Sequence, residues 1–232
     1  MPRVFVIIPA FNEEGSIAGV VQSARPFVEA VIVGDNNSRD ATAQRAIEAG
    51  AIVVPASIQG YGSACLFAID HVRTQFKPEA DDILLFMDAD ACDEPSKIPD
   101  LISPIVRNEV DLMIGSRAKL AEPGSLTPQQ RFGNALATFL IRLIWRKRYS
   151  DLGPFRAIRW SSYQSLGMCD PNYGWTVEMQ IKAVKKNLRT AEIDVPYHPR
   201  KAGVSKVAGS LSGSLKAGYK ILYLIFRYGM LR

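Results

Sequence analysis

The chain is short of the residues that build stapled or metal-clamped scaffolds. Its three cysteines, Cys65, Cys92 and Cys169, are an odd number, widely spaced and without a Cys-x-x-Cys pair. That argues against a disulfide framework and against a structural zinc site, and it fits a reducing cytoplasm. Its two histidines, His71 and His198, sit in dissimilar contexts and suggest no metal pair. No stretch reaches the roughly 18 uninterrupted apolar residues that a spanning helix needs. The first residues lead directly into a strand pattern with no apolar signal core, so the expected compartment is the cell interior. Internal repeats, low-complexity tracts and an obvious linker are missing too.

What is present is material for a core. With 232 residues, 47% hydrophobic and 22% charged, the chain fits one globular domain over residues 1–232. A formal charge of +5 and a pI near 9.1 point to an anionic partner. Nucleic acid, nucleotide phosphates and an acidic membrane surface all satisfy that charge. The cations gather with apolar helices instead of forming a basic stripe with stacking aromatics, which argues against nucleic acid.

The first half alternates β-branched runs with helical patterns, the signature of βαβ units and a mostly parallel sheet flanked by helices. Strands are expected at Val4 to Ile8, Ala30 to Val33, Ile52 to Val54, Ile83 to Met87 and Leu112 to Ile114. Helices are expected at Glu13 to Ser23, Asp40 to Glu48, Gly62 to Thr74 and Lys97 to Asn108, with Asp40 and Ser96 as N-caps. The strand order stays open. Ligands of such sheets collect beyond the carboxyl ends of the strands. There the chain carries Pro9 to Glu13, Asp35 to Ser38 and Asp88-Ala89-Asp90. After Arg117 the strand runs give way to longer basic and apolar helices.

Asp88 and Asp90 end the apolar run Ile83 to Met87. Residues i and i+2 of an extended chain project to one side, which concentrates two negative charges in a small volume. Such a pair calls for a cation, and hard oxygen ligands suit Mg²⁺ or Mn²⁺ carrying a phosphate; the alternative is a pair of solvated turn residues. Asp35 is the first choice for contacting a nucleobase, against the alternative that it only shapes a turn. Gly60-Tyr61-Gly62 opens a helix and lets the backbone approach a ligand, but it lacks the third glycine of a dinucleotide fingerprint. It equally suits an ordinary loop.

In order, Val6 to Glu14, Asp35 to Thr42, Gly60-Tyr61-Gly62, Asp88-Ala89-Asp90 and Gly115-Ser116-Arg117 resemble the family 2 glycosyltransferases with the GT-A fold. The likeness is to the branch of dolichyl-phosphate mannose and polyprenyl-phosphate glucose synthases, over most of the chain. It implies a UDP- or GDP-sugar donor, a metal on its diphosphate and inversion at the anomeric carbon. It places Pro9, Ala10, Glu13 and Asp35 around the nucleoside, and Asp88, Ala89 and Asp90 around metal and diphosphate. Relatives often carry a glutamine ligand two residues after the second aspartate. Here that position is Cys92, and the adjacent Asp93 is the candidate third ligand. Residues 1–117 are then the donor-binding half, and 118–232 the acceptor-binding half.

The second half looks suited to an acceptor. Ala135 to Tyr149 is an apolar helix with a basic, aromatic end, and Tyr219 to Tyr228 repeats that character. Such helices can lie in a membrane interface with Trp145 and Tyr149 at headgroup level, or form a core helix with a charged terminus. The resulting expectation is a cytoplasmic protein, peripheral at the inner face of a membrane, with polyprenyl phosphate as acceptor. Asp151 or Glu178 could be the general base for a hydroxyl acceptor. A phosphate acceptor needs cations more than a base, and Arg117, Arg131, Arg200 and Lys201 are candidates. The loop Tyr197 to Lys206 is expected to close over diphosphate. The rivals are transfer to a soluble hydroxyl and a nucleotide-sugar-binding protein without catalysis.

Overall fold

The computed structural model describes residues 1–200 and 211–230. Among the described residues seven strands form one sheet: β1 (Val4–Ala10), β2 (Ala30–Asp35), β3 (Ile52–Pro55), β4 (Ile83–Phe86), β5 (Leu112–Ser116), β6 (Arg156–Arg159) and β7 (Thr190–Asp194). Their order is β3-β2-β1-β4-β6-β5-β7. All neighbouring pairs are parallel except the two made by β6, which runs antiparallel between β4 and β5. The α/β expectation with a mostly parallel sheet therefore holds.

The β1 run is buried at every position because both faces of the sheet are covered. Phe5 and Ile7 enter one core, and Val4, Val6 and Ile8 enter the other, the alternation that the pleat imposes. The second core is closed by α1 (Ile17–Ala24), α2 (Thr42–Glu48) and α4 (Ile98–Val106). The first is closed by α3 (Tyr61–His71), α5 (Pro128–Trp145), α6 (Trp160–Leu166), α7 (Trp175–Lys185) and α8 (Leu211–Met230).

Several local expectations are corrected. Asp40 lies one residue before the N-cap position of α2, yet its carboxylate accepts from Thr42 N at 3.0 Å and still serves the helix start. Ser96 is not a cap: its own N–H donates to Glu94 at 3.2 Å. The second half contains two strands that its helical character conceals. Tyr149 does not reach out to a headgroup region but is buried, and Trp145 is half-buried against the same core. The division at residue 117 does not divide the sheet, because β6 from the second half pairs with β4 from the first.

Candidate active site

Since β1, β2 and β4 are parallel, their carboxyl ends meet at one edge, where a cleft of about 580 Å³ opens. Pro9 and Ala10 end β1 and Glu13 follows it, Asn36 follows β2, Gly60 and Tyr61 begin α3, and Asp88, Ala89 and Asp90 follow β4. The far wall comes from Arg117, Leu152, Pro154, Trp175, Thr176 and Arg200, with Ala217 and Ile221 of α8. Gly60 has φ +151°, and a Cβ there or on Gly62 would collide with the carbonyl oxygens of Pro171 and Asp170. Glycine is thus required where α3 begins beneath the 170–174 loop.

β4 stops at Phe86, so the two aspartates lie on a turn rather than on an extended strand, and Ala91 at φ 60° reverses the chain just after them. Asp88 accepts from the Tyr61 hydroxyl at 2.9 Å. Burial first, and the neighbouring Asp90 second, push its carboxyl up to about 7. Asp90 accepts from Cys92 N at 3.1 Å and from Arg200 Nη2 at 3.0 Å. Asp93 does not line the cleft. Its Oδ2 accepts from Asp88 N at 3.0 Å and its Oδ1 has no partner among the described residues, while burial, then Asp88 and Asp90, hold its carboxyl well above the usual range.

Among the described residues no group of three or more acidic, histidine or cysteine side chains is placed to hold a metal ion. Asp93 therefore does not complete a ligand set, and Cys92 is buried. Magnesium commonly uses one or two carboxylates and takes its other ligands from substrate phosphates and water. Asp88 and Asp90, two carboxylates on the cleft floor, fit that mode.

Cations face these acids. The Arg200 guanidinium lies 2.6 Å from Glu13 and 3.0 Å from Asp90, bridging the ends of β1 and β4. Arg117 makes a two-point contact with Asp151 at 2.7 and 2.8 Å. Burial opposes both charges of that pair, but the mutual bond wins: the Asp151 carboxyl falls below, and the Arg117 guanidinium rises above, its ordinary value. Arg156 is fully buried and bonds to the carbonyls of Leu152, Gly153 and Thr176, and burial lowers its pKa to about 10. Beside the cleft, sharing Arg117 and Gln130 with it, lies a second cavity of about 470 Å³ lined by Leu126, Arg131, Phe139, Arg142 and Arg148. Among the described residues no carboxylate pairs with these last three arginines.

Residues 5–167, well over half of the chain, match glycosyl transferase family 2. The chain belongs to that family. An uncharacterized glycosyltransferase of Mycobacterium tuberculosis is 34% identical over 92% of this chain and 94% of its own length. A low-salt glycan biosynthesis hexosyltransferase of Haloferax volcanii is 29% identical over 86% of this chain and 48% of its own. An undecaprenyl-phosphate mannosyltransferase of Micrococcus luteus is 27% identical over 91% and 90%. Glucosyl-3-phosphoglycerate synthase from Mycobacterium tuberculosis, in complex with Mn²⁺, UDP and glucosyl-3-phosphoglycerate, shares the fold with a TM-score of 0.72. It is 22% identical, over 96% of this chain and 79% of its own. The protein is a family 2 glycosyltransferase with a GT-A-like α/β fold.

The cleft of this glycosyltransferase gathers Pro9, Ala10, Glu13, Gly60, Asp88, Ala89, Asp90, Arg117 and Arg200. Asp35 stands just behind it, buried, with its carboxylate turned to Ser38 N at 3.3 Å, while its neighbour Asn36 lines the cleft and accepts from Gly60 N at 2.7 Å. Asp151 and Arg131 line the second cavity instead. Glu178 lines neither cavity. It is 0% exposed and takes bonds from Asp170 N at 2.8 Å, the Tyr228 hydroxyl at 2.9 Å and Lys182 at 2.7 Å. Burial would raise its carboxyl, but these partners hold it below the usual value. A carboxylate so enclosed cannot reach an acceptor proton, which corrects its assignment as base. Lys201 and most of the expected closing loop lie outside the described residues. Sequence reasoning assigned no role to Tyr61, Trp175 or Ile221. The aromatic between the two glycines was the available signal for Tyr61.

Proposed function

We propose that this glycosyltransferase moves a sugar, with inversion, from a UDP- or GDP-sugar to polyprenyl phosphate at the inner face of a membrane. The observation that carries the acceptor assignment is the second cavity, where three arginines without carboxylate partners among the described residues and the half-exposed Phe139 stand beside the donor cleft. That combination suits a phosphate head on an apolar tail. The undecaprenyl-phosphate mannosyltransferase relative supports the reading. So do the exposed apolar side chains Phe132, Phe139 and Leu143 on α5 and Leu215, Tyr219 and Phe226 on α8. Among the described residues no helix is long and apolar enough to cross a membrane, so the contact proposed is with its surface.

In this mechanism Pro9, Ala10, Glu13 and Asn36 receive the nucleoside. Asp88 and Asp90 would hold Mg²⁺ or Mn²⁺, which would supply positive charge for the diphosphate. Arg131, Arg142 and Arg148 orient the acceptor phosphate. Its oxygen attacks the anomeric carbon from the face opposite the bond to the nucleoside diphosphate, and that bond's electron pair leaves on the diphosphate oxygen. The acceptor oxygen is already anionic near neutral pH, so no base is needed. That agrees with Asp151 and Glu178 both being engaged elsewhere.

The test is incubation with radiolabelled UDP-glucose or GDP-mannose, Mn²⁺ and undecaprenyl phosphate, followed by solvent extraction. Label is expected in the organic phase, and Asp88→Asn or Asp90→Asn should lower turnover by about 100-fold or more. Label passing only to a water-soluble acceptor would reject the lipid assignment. Wild-type turnover by both variants would reject the metal assignment.

A further inference from the structure

Three buried side-chain atoms have no hydrogen-bond partner among the described residues: Asp93 Oδ1, Gln180 Oε1 and Trp175 Nε1. Of these residues only Trp175 lines the cleft. It is 1% exposed, and its ring meets Phe86 edge-on with centroids 5.9 Å apart, so the core fixes its place. Leaving a buried donor unpaired is costly, and about nine in ten or more buried polar groups avoid it. A cleft wall is where such a donor can find its partner on a ligand.

The sheet indicates which part of the ligand that is. Register pairs Phe86 of β4 with Arg156 of β6, so the segment 152–156 and the start of α7 lie beyond Asp88 along the sheet edge. A nucleoside at the ends of β1 and β2 and a diphosphate at Asp88 and Asp90 leave the sugar facing Leu152, Pro154 and Trp175. We propose that the Trp175 indole N–H donates a hydrogen bond to a hydroxyl of the donor sugar and thereby helps decide which sugar is accepted. This rests on the nucleotide-sugar reading of the cleft. A site built to bond a hydroxyl discriminates strongly against the analogue that lacks it, because its own buried group is then left unpaired.

Titration calorimetry with Mn²⁺ on wild type and Trp175→Phe tests it, using UDP-glucose, GDP-mannose, their single-deoxy analogues, UDP and GDP. The sugar nucleotide that binds should weaken about tenfold or more in the variant, while its bare nucleotide stays within about twofold. Without ligand the two proteins should melt within about 2 °C of each other. Deleting one particular hydroxyl should cost wild type about tenfold and the variant little, as expected of an interacting pair. Equal loss of sugar nucleotide and bare nucleotide, or no loss of either, overturns the inference while leaving the cleft assignment standing. Failure of wild type to bind any sugar nucleotide removes both. If the variant does not fold, the assigned indole ¹⁵N–H resonance of Trp175 in wild type answers instead. It should move downfield with the sugar nucleotide and not with the bare nucleotide. An upfield resonance that no ligand moves, as for an N–H aimed at the Phe86 ring, would sink the proposal.

Discussion

Tyr61 and Glu178 show how one residue's partners decide its part. The Tyr61 hydroxyl donates to Asp88 from a half-buried position at the cleft floor. Tyr61→Phe should lower kcat/KM about tenfold with little change in Tm, measured by steady-state kinetics beside calorimetry. Glu178, in contrast, ties α7 to the Cys169–Asp170 turn and to Tyr228 of α8. Glu178→Gln leaves Lys182 without its charge partner and should cost about 3 kcal/mol of stability while kcat holds within about twofold. Its folded pKa is depressed, so it contributes stability that is complete above the ordinary glutamate value and is lost as pH falls through the lower folded value. Wild-type Tm should therefore drop on acidification below about pH 4.5, and the variant's should drop less.

At the scale of elements, α5 and α8 share one buried seam and leave the rest of their surfaces apolar and basic. Ala137 and Ile141 of α5 join Leu224 and Ile225 of α8 in the core. A capping box, Thr127 with Gln130, starts α5, and Arg146 ends it in a left-handed conformation. The membrane-facing aromatics expected from the pattern were Trp145 and Tyr149, but tertiary packing claimed both. Phe139 and Leu143, one helical turn apart, are exposed in their stead. Replacing Tyr219 and Phe226 together by serine should weaken partition onto acidic vesicles about tenfold or more without affecting turnover of a short, water-soluble polyprenyl phosphate analogue. Vesicle sedimentation and solution kinetics read the two effects.

For the whole molecule the excess of cations matters: the formal charge is +5, and Arg131, Arg142 and Arg146 of the α5 region and Lys216 and Arg227 of α8 are exposed. Binding to vesicles containing phosphatidylglycerol should fall steeply between about 50 mM and 500 mM salt, while binding to neutral vesicles stays weak throughout, in a co-sedimentation series. The sheet unites the chain's halves, and its order explains what could be read beforehand. Strand and helix identity in residues 4–116 were legible because a doubly covered parallel sheet writes continuous β-branched runs, and Asp88 and Asp90 because their charge interrupts one. The short β6, Arg-Ala-Ile-Arg, carries no such run and exists because β4 and β5 offer it edges on both sides. The sequence by itself determined the fold class, the family and the acidic floor of the cleft, since these follow from local periodicity and from charge placed at strand ends. Only the tertiary structure decided that Glu178 is a buried tie, that Asp93 buttresses Asp88, and that Trp175 lines the cleft with its indole N–H unpaired among the described residues. Those roles depend on which distant groups arrive as neighbours, and no local pattern specifies that.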